Sequence, residues 1–135
     1  MYTGNQNDTI IVNGETIKGF KNTGYYGTGN TGVASELTGF INYSKNNLQS
    51  EKYILDIWSH GDGWGEDYYA KIKSRYIAVD EGKGDKSSLD MWEVESAIKN
   101  SEITKMDIIY MDACLMGGIE VAYQLKDVSD YLVFS

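Results

Sequence analysis

The chain carries one histidine and one cysteine: His60 in WSHGDGW (58–64) and Cys114 in IIYMDACLMGG (108–118). A cysteine that attacks a carbonyl must be exposed and partly thiolate at neutral pH. An imidazole beside it can accept the thiol proton and later protonate a leaving amine. Each residue stands where a run of strand-forming residues ends, with glycine close behind: Gly61 after the histidine, Gly117 and Gly118 after the cysteine. Glycine permits close approach of backbone to substrate, so the N–H groups of Gly61 and Cys114 are candidates for holding a developing oxyanion. A helix expected to open at Leu115 would place Cys114 just before a helix N-terminus, which favours the thiolate. Taken singly, each residue has a plainer reading. A lone cysteine is usually a small buried hydrophobe, and a lone histidine a structural residue.

The elements that would hold this pair can be read from periodicity. Thr9 to Ile17 alternates around Asn13-Gly14, the pattern of a hairpin with a type I′ turn, and residues 20–32 are rich in Gly, Asn and Thr, as in a surface loop. Val33, Leu37, Phe40, Ile41 and Leu48 recur at helical spacing, which predicts a helix over about 34–48. Residues 52–59 (KYILDIWS) predict a strand ending at His60, and 61–65 (GDGWG) a turn. A polar stretch, 66–88, follows, with strand character at 76–79. Asp90 and Glu93 stand at capping-box spacing ahead of a helix reaching about Asn100. Residues 107–111 and 131–134 predict two more strands, and 115–126 a helix between them. Alternating helices and apolar strands indicate parallel β-α-β units with helices on both faces of the sheet. In such sheets ligands bind beyond the carboxyl ends of the strands, where His60 and Cys114 both fall.

Composition narrows the classes. The 135 residues are 41% apolar and 24% charged, which suits one folded domain. We divide it into a hairpin-like and loop segment, 1–32, and a core, 33–135, that carries both motifs. A formal net charge of -8 argues against nucleic acid and anionic membrane surfaces as partners. No apolar run approaches the roughly 20 residues of a membrane span, and the polar opening MYTGNQND does not read as a signal peptide. One His and one Cys cannot furnish the four ligands of a usual zinc centre, so no metal site is assigned.

Two long stretches resemble the clostripain family of cysteine peptidases. WSHGDGW is similar to that family's W-x-H-G-x-G-W signature, and DACLMGGIEVAYQL (112–125) to its D-A-C-L-M-x-x-x-E-V-A-Y-x-L signature. SLDMWEVESAI (88–98) resembles the helix preceding the family's cysteine strand, and YLVFS the strand that follows. The separation of 54 residues between positions 60 and 114 is also near the ~50 of caspases. The resemblance implies a caspase-like α/β fold, a three-layer sandwich around a mainly parallel sheet. It implies a His60/Cys114 dyad that hydrolyses peptide bonds after Arg or Lys through a thioester. It also implies that Asp112 lines the pocket for the basic residue. Strand alternation agrees, since 112 and 114 point the same way; the plainer alternative is an Asp that caps the next helix.

By the same resemblance, the loop after the histidine is a site of self-processing, with Lys71, Lys73 and Arg75 as candidates; ordinary solvated charge is the plain alternative. Calcium, which some relatives require, has Asp62, Glu66, Asp67 and Asp80 as candidate ligands without ordered spacing. Relatives suggest a secreted or cell-surface bacterial protein. The chain departs from the family by opening on a hairpin-like segment and by stopping soon after the third strand, as an incomplete copy of the domain would. That leaves a second reading, an inactive or zymogen-like fragment serving in binding or assembly, with self-association through an exposed sheet edge. A third is a related hydrolase cutting after Asp or Asn.

Overall fold

The computed structural model describes residues 9–12, 15–18, 30–48, 50–61, 76–80 and 87–135. In chain order the elements are β1 (Thr9–Val12), β2 (Glu15–Lys18), α1 (Ala34–Asn47), β3 (Ile54–Trp58), β4 (Tyr76–Asp80), β5 (Ser87–Asp90), α2 (Met91–Lys99), β6 (Met106–Asp112), α3 (Ile119–Leu125) and β7 (Ser129–Val133). β1 and β2 form the expected antiparallel hairpin, Val12 pairing with Glu15; the Asn13-Gly14 turn itself lies outside the described residues.

The centre is a parallel sheet in the order β3-β6-β7. β6 is the inner strand, and burial alternates along it and along β3. Leu55, Ile57, Ile109 and Met111 are buried, while Ile54, Asp56, Trp58, Tyr110 and Asp112 are exposed. This is the period-2 signature of a sheet with one packed face. Ile41 of α1, Met91, Val94 and Ile98 of α2, and Val121 and Leu125 of α3 join the packed face in one core. At about 1.5–3 kcal/mol for each fully buried large aliphatic side chain, this layer carries much of the fold's stability. Of the two helical layers expected, the described residues supply one. On the opposite face Ile54, Trp58, Tyr131 and Val133 stand exposed.

Side chains tie the helices to one another. Thr38 of α1 donates its hydroxyl to the Ala97 carbonyl of α2 at 3.1 Å, and Gln124 of α3 bonds Glu95 of α2. The start of α2 follows the capping-box reading, with Glu93 Oε2 accepting the Asp90 N–H at 2.9 Å. After α2 the chain turns on buried Ser101, whose hydroxyl bonds the carbonyls of Ile98 and Ile103, both at 2.8 Å. That turn leads directly into β6.

Three expectations need correction. The polar stretch ahead of α2 contains a strand, β5, that pairs antiparallel with β4. Its short, polar SSLD sequence has no apolar periodicity to announce it. β6 is longer than expected, running from 106 to 112, and so carries Asp112 as its last residue. The helix expected from Leu115 begins only at Ile119. Gly117 and Gly118 intervene, and glycine disfavours the helical interior that the apolar pattern alone would extend through them.

The lower end of the sheet is pinned by Asp107. Its carboxylate accepts the Tyr53 N–H at 2.8 Å and pairs with Lys52 Nζ at 2.6 Å, joining the residues just before β3 to β6. The hydrogen bond from Lys52, then that from Tyr53, hold the Asp107 carboxyl below the usual carboxylate range. An aspartate shifted downward stabilises the fold above its unfolded pKa of about 3.9 and loses that contribution as pH falls through and below it. Asp107→Asn should therefore lower Tm at pH 7. The deficit should shrink as pH is taken from 5 to 2.5, because the wild type loses stability faster on that limb; thermal melts across the range measure it.

Candidate active site

β3 and β6 carry the two motifs, and their register sets the geometry. Trp58 pairs with Asp112, and the Ser59 N–H reaches the Asp112 carbonyl at 3.3 Å. His60 and Cys114 each lie two residues beyond this last pair, on strands spaced about 4.8 Å apart. Burial continues to alternate past the end of β6: Met111 and Ala113 are buried, Asp112 and Cys114 exposed. His60 is exposed as well, on the parity of Asp56 and Trp58. His60 and Cys114 thus follow neighbouring strands at their carboxyl ends, both exposed, with neither buried in the core. Asp112, the last residue of β6 and two before Cys114, is exposed as well.

Gly61 joins the two loops. A Cβ placed on it would lie 2.5 Å from the Cys114 carbonyl oxygen, 2.9 Å from Met116 Sδ and 3.0 Å from Ala113 Cβ. These separations are too short for any side chain, so glycine is required here for space. Gly61 also makes an antiparallel bridge to Ile77, whose side chain is fully buried. The residue after the histidine is therefore held between the cysteine turn on one side and β4 on the other. Asp56, the one acidic residue within β3, pairs with Tyr110 and is exposed, well down the strand from His60.

Cys114 and Leu115 form a turn between β6 and α3. Leu115 has a positive φ of 60°, one of two such non-glycine residues among those described; the other is Ala78, φ 59°, at the bulge in β4. The left-handed conformation costs an L-residue roughly 1–2 kcal/mol. The turn is fixed from beneath by Met116, fully buried, and from the side by the Gly117 N–H, which donates to the Ser135 carbonyl at 2.9 Å. The segment after β7 thus supports the cysteine turn. Sequence reasoning missed Met116, Ser135 and the Ile77 bridge, and the paired glycines at 117 and 118 were the signal that a tight packed turn stood there. The expected position of Cys114 at a helix N-terminus is not found. α3 begins five residues later, and a helix dipole acts only over about its first turn.

Lys71, Lys73 and Arg75 lie outside the described residues, as do Asp62, Glu66, Asp67 and the side chain of Asp80. Among the described residues no three His, Cys, Asp or Glu side chains gather closely enough to hold a metal ion.

The clostripain family model matches residues 2–135. The chain belongs to the clostripain family. It is 36% identical over 101 residues to clostripain of Hathewaya histolytica, a stretch covering 72% of this chain and 19% of that protein. Among solved structures it resembles a secreted cysteine protease from Bacteroides thetaiotaomicron, iotapain (30% identity, TM-score 0.63, 90% of this chain and 35% of the other). A second structure of a secreted cysteine protease from that organism, bound to an irreversible peptide inhibitor, gives 26% identity and a TM-score of 0.61 over 75% of this chain and 27% of the other. The expected fold class, a mainly parallel sheet with helices in the caspase-like manner, is the one these relatives share. The chain spans about a fifth of the length of clostripain and about a third of iotapain's.

Within this clostripain-family site the Gly61 contact gives a direct prediction. Gly61→Ala must push the Cys114 carbonyl or Met116 aside, an overpacking that costs roughly 1–3 kcal/mol. Tm should fall by several degrees, and alkylation of Cys114 by iodoacetamide should change rate as the turn moves. Thermal melts and timed alkylation check both, and an unchanged Tm would mean that the two loops are not packed as described.

Proposed function

We propose that the protein is a cysteine endopeptidase cleaving after Arg or Lys, with Cys114 as nucleophile and His60 as general acid and base. The observation that carries this reading is the pairing of Trp58 with Asp112, which sets both motifs side by side at the carboxyl end of a parallel pair. Membership of the clostripain family supports the peptidase chemistry.

In the acylation step the Cys114 sulfur attacks the scissile carbonyl carbon while His60 holds the thiol proton. The N–H groups of Gly61 and Cys114 receive the charge that develops on the carbonyl oxygen. The tetrahedral adduct collapses as the C–N bond breaks, and His60 gives its proton to the departing amine. A water then adds to the thioester, His60 takes its proton, and the carboxylate product leaves as the thiol is restored. Asp112, exposed two residues before the nucleophile, pairs with the guanidinium or ammonium of the residue preceding the cut. Its substrates are peptides or proteins bearing that basic residue. The secreted relatives from Bacteroides thetaiotaomicron support a secreted protein here too.

A lysyl or arginyl peptidyl electrophile provides the test. Wild type should be labelled at Cys114, Cys114→Ala should not react, and His60→Ala should slow labelling by roughly 10²–10⁴-fold. Asp112→Asn should lower kcat/KM for basic peptides by about 10- to 100-fold, the worth of a charge-assisted hydrogen bond. Label on the Cys114→Ala protein would remove the nucleophile assignment.

Self-processing belongs to the same proposal. Intact-mass spectra of the purified protein should show a cut after Lys71, Lys73 or Arg75 that disappears in Cys114→Ala.

A further inference from the structure

Leu115 is the residue in the site whose side chain the fold does not use. It follows Cys114 in a left-handed backbone that leucine disfavours, and 68% of its surface is exposed, so burial of its own side chain does little to offset the strain. The turn does not need it for anchorage. Gly61 packs on the Cys114 carbonyl, Met116 is fully buried beneath, and the Gly117 N–H bonds the Ser135 carbonyl. A glycine would take the same backbone freely, and glycine stands only two and three positions further on. What leucine adds over glycine is an apolar side chain beside the thiol, on a rim it shares with Asp112, His60 and the exposed Trp58.

We propose that Leu115 is a specificity-determining substrate contact, an apolar wall for the peptide side chain that precedes the basic residue at the cut. This rests on the reading of Cys114 as nucleophile. The chemistry it selects is a hydrocarbon side chain over a carboxylate. The first gains by leaving water against leucine, whereas the second is desolvated there and faces the charge of Asp112.

Two peptidyl electrophiles test it, both with lysine at the reacting position and with leucine or aspartate before it. Wild type should label faster with the leucine reagent by about tenfold or more, on the scale of burying such a side chain. In Leu115→Gly and Leu115→Ala that ratio should fall severalfold, and Leu115→Met should retain it. Leu115→Gly should at the same time melt no lower than wild type, because its strain is relieved. A merely structural leucine would instead lower Tm in the Gly and Ala variants and leave the ratio unchanged. An unchanged ratio in both variants, or equal labelling of wild type by the two reagents, overturns the proposal. A wild type that rejects both reagents but accepts the same pair with asparagine at the reacting position loses the proposed basic specificity, and the Leu115 ratio is then read on that pair. A wild type labelled by none of the four overturns both readings.

Discussion

Everything at the site depends on the parallel pairing of β3 with β6. Parallel strands run their carboxyl ends to the same edge, so residues at equal distance past a paired position emerge together. With Trp58 opposite Asp112, positions 60 and 114 come out side by side. A slip of one residue would turn one motif to the packed face, since side chains alternate with period 2. The register is fixed at several points along its length. Asp107 ties the backbone of Tyr53 at the lower end, and Leu55, Ile57, Ile109 and Met111 lock the middle by burial. Gly61 against the Cys114 carbonyl closes the upper end.

Those fixings are of different kinds. Charge pairing at Lys52 and Asp107 is solvent-exposed on the lysine side and contributes modestly. The second bond of Asp107, to the Tyr53 N–H, satisfies a backbone donor where β3 begins and defines one position along the strand. Burial of the four aliphatic side chains supplies most of the energy but has no direction along the strand beyond its period of two. Directional hydrogen bonds and the steric fit of Gly61 therefore choose among registers that burial alone would accept. The helices serve the same end. α2 and α3 cover the buried face beneath the two motifs and are themselves joined through Glu95 and Gln124.

Much of this was legible from residue types, and the failures share a physical cause. The His and Cys strands, the α1 span and the capping box before α2 declare themselves by periodicity and cap chemistry, because each is a local property of a contiguous segment. β5 escaped because SSLD owes its extended form to pairing with β4, a contact remote in sequence that no local pattern encodes. The late start of α3 escaped because Leu115 and Met116 fit a helical apolar stripe, yet one is exposed in a turn and the other buried beneath it. His60, Cys114, Gly61 and Asp112 could be named from their motifs. The supporting roles of Met116, Ile77 and Ser135 could not, since each acts through packing between segments.

The strain at the site follows the same division between local preference and tertiary fit. The two non-glycine residues with positive φ, Ala78 and Leu115, lie on the two segments that touch Gly61. Each is bonded in the chain to a fully buried neighbour, Ile77 before Ala78 and Met116 after Leu115. Burying such a side chain yields about 1.5–3 kcal/mol, enough to offset the roughly 1–2 kcal/mol that a left-handed residue costs. Core packing thus holds the backbone on either side of Gly61 in conformations the residues would not adopt alone. A loop of preferred conformations would let the histidine and cysteine segments relax independently. Here Gly61 is bridged to Ile77 and packed on the Cys114 carbonyl, so the histidine segment is tied to both anchored segments.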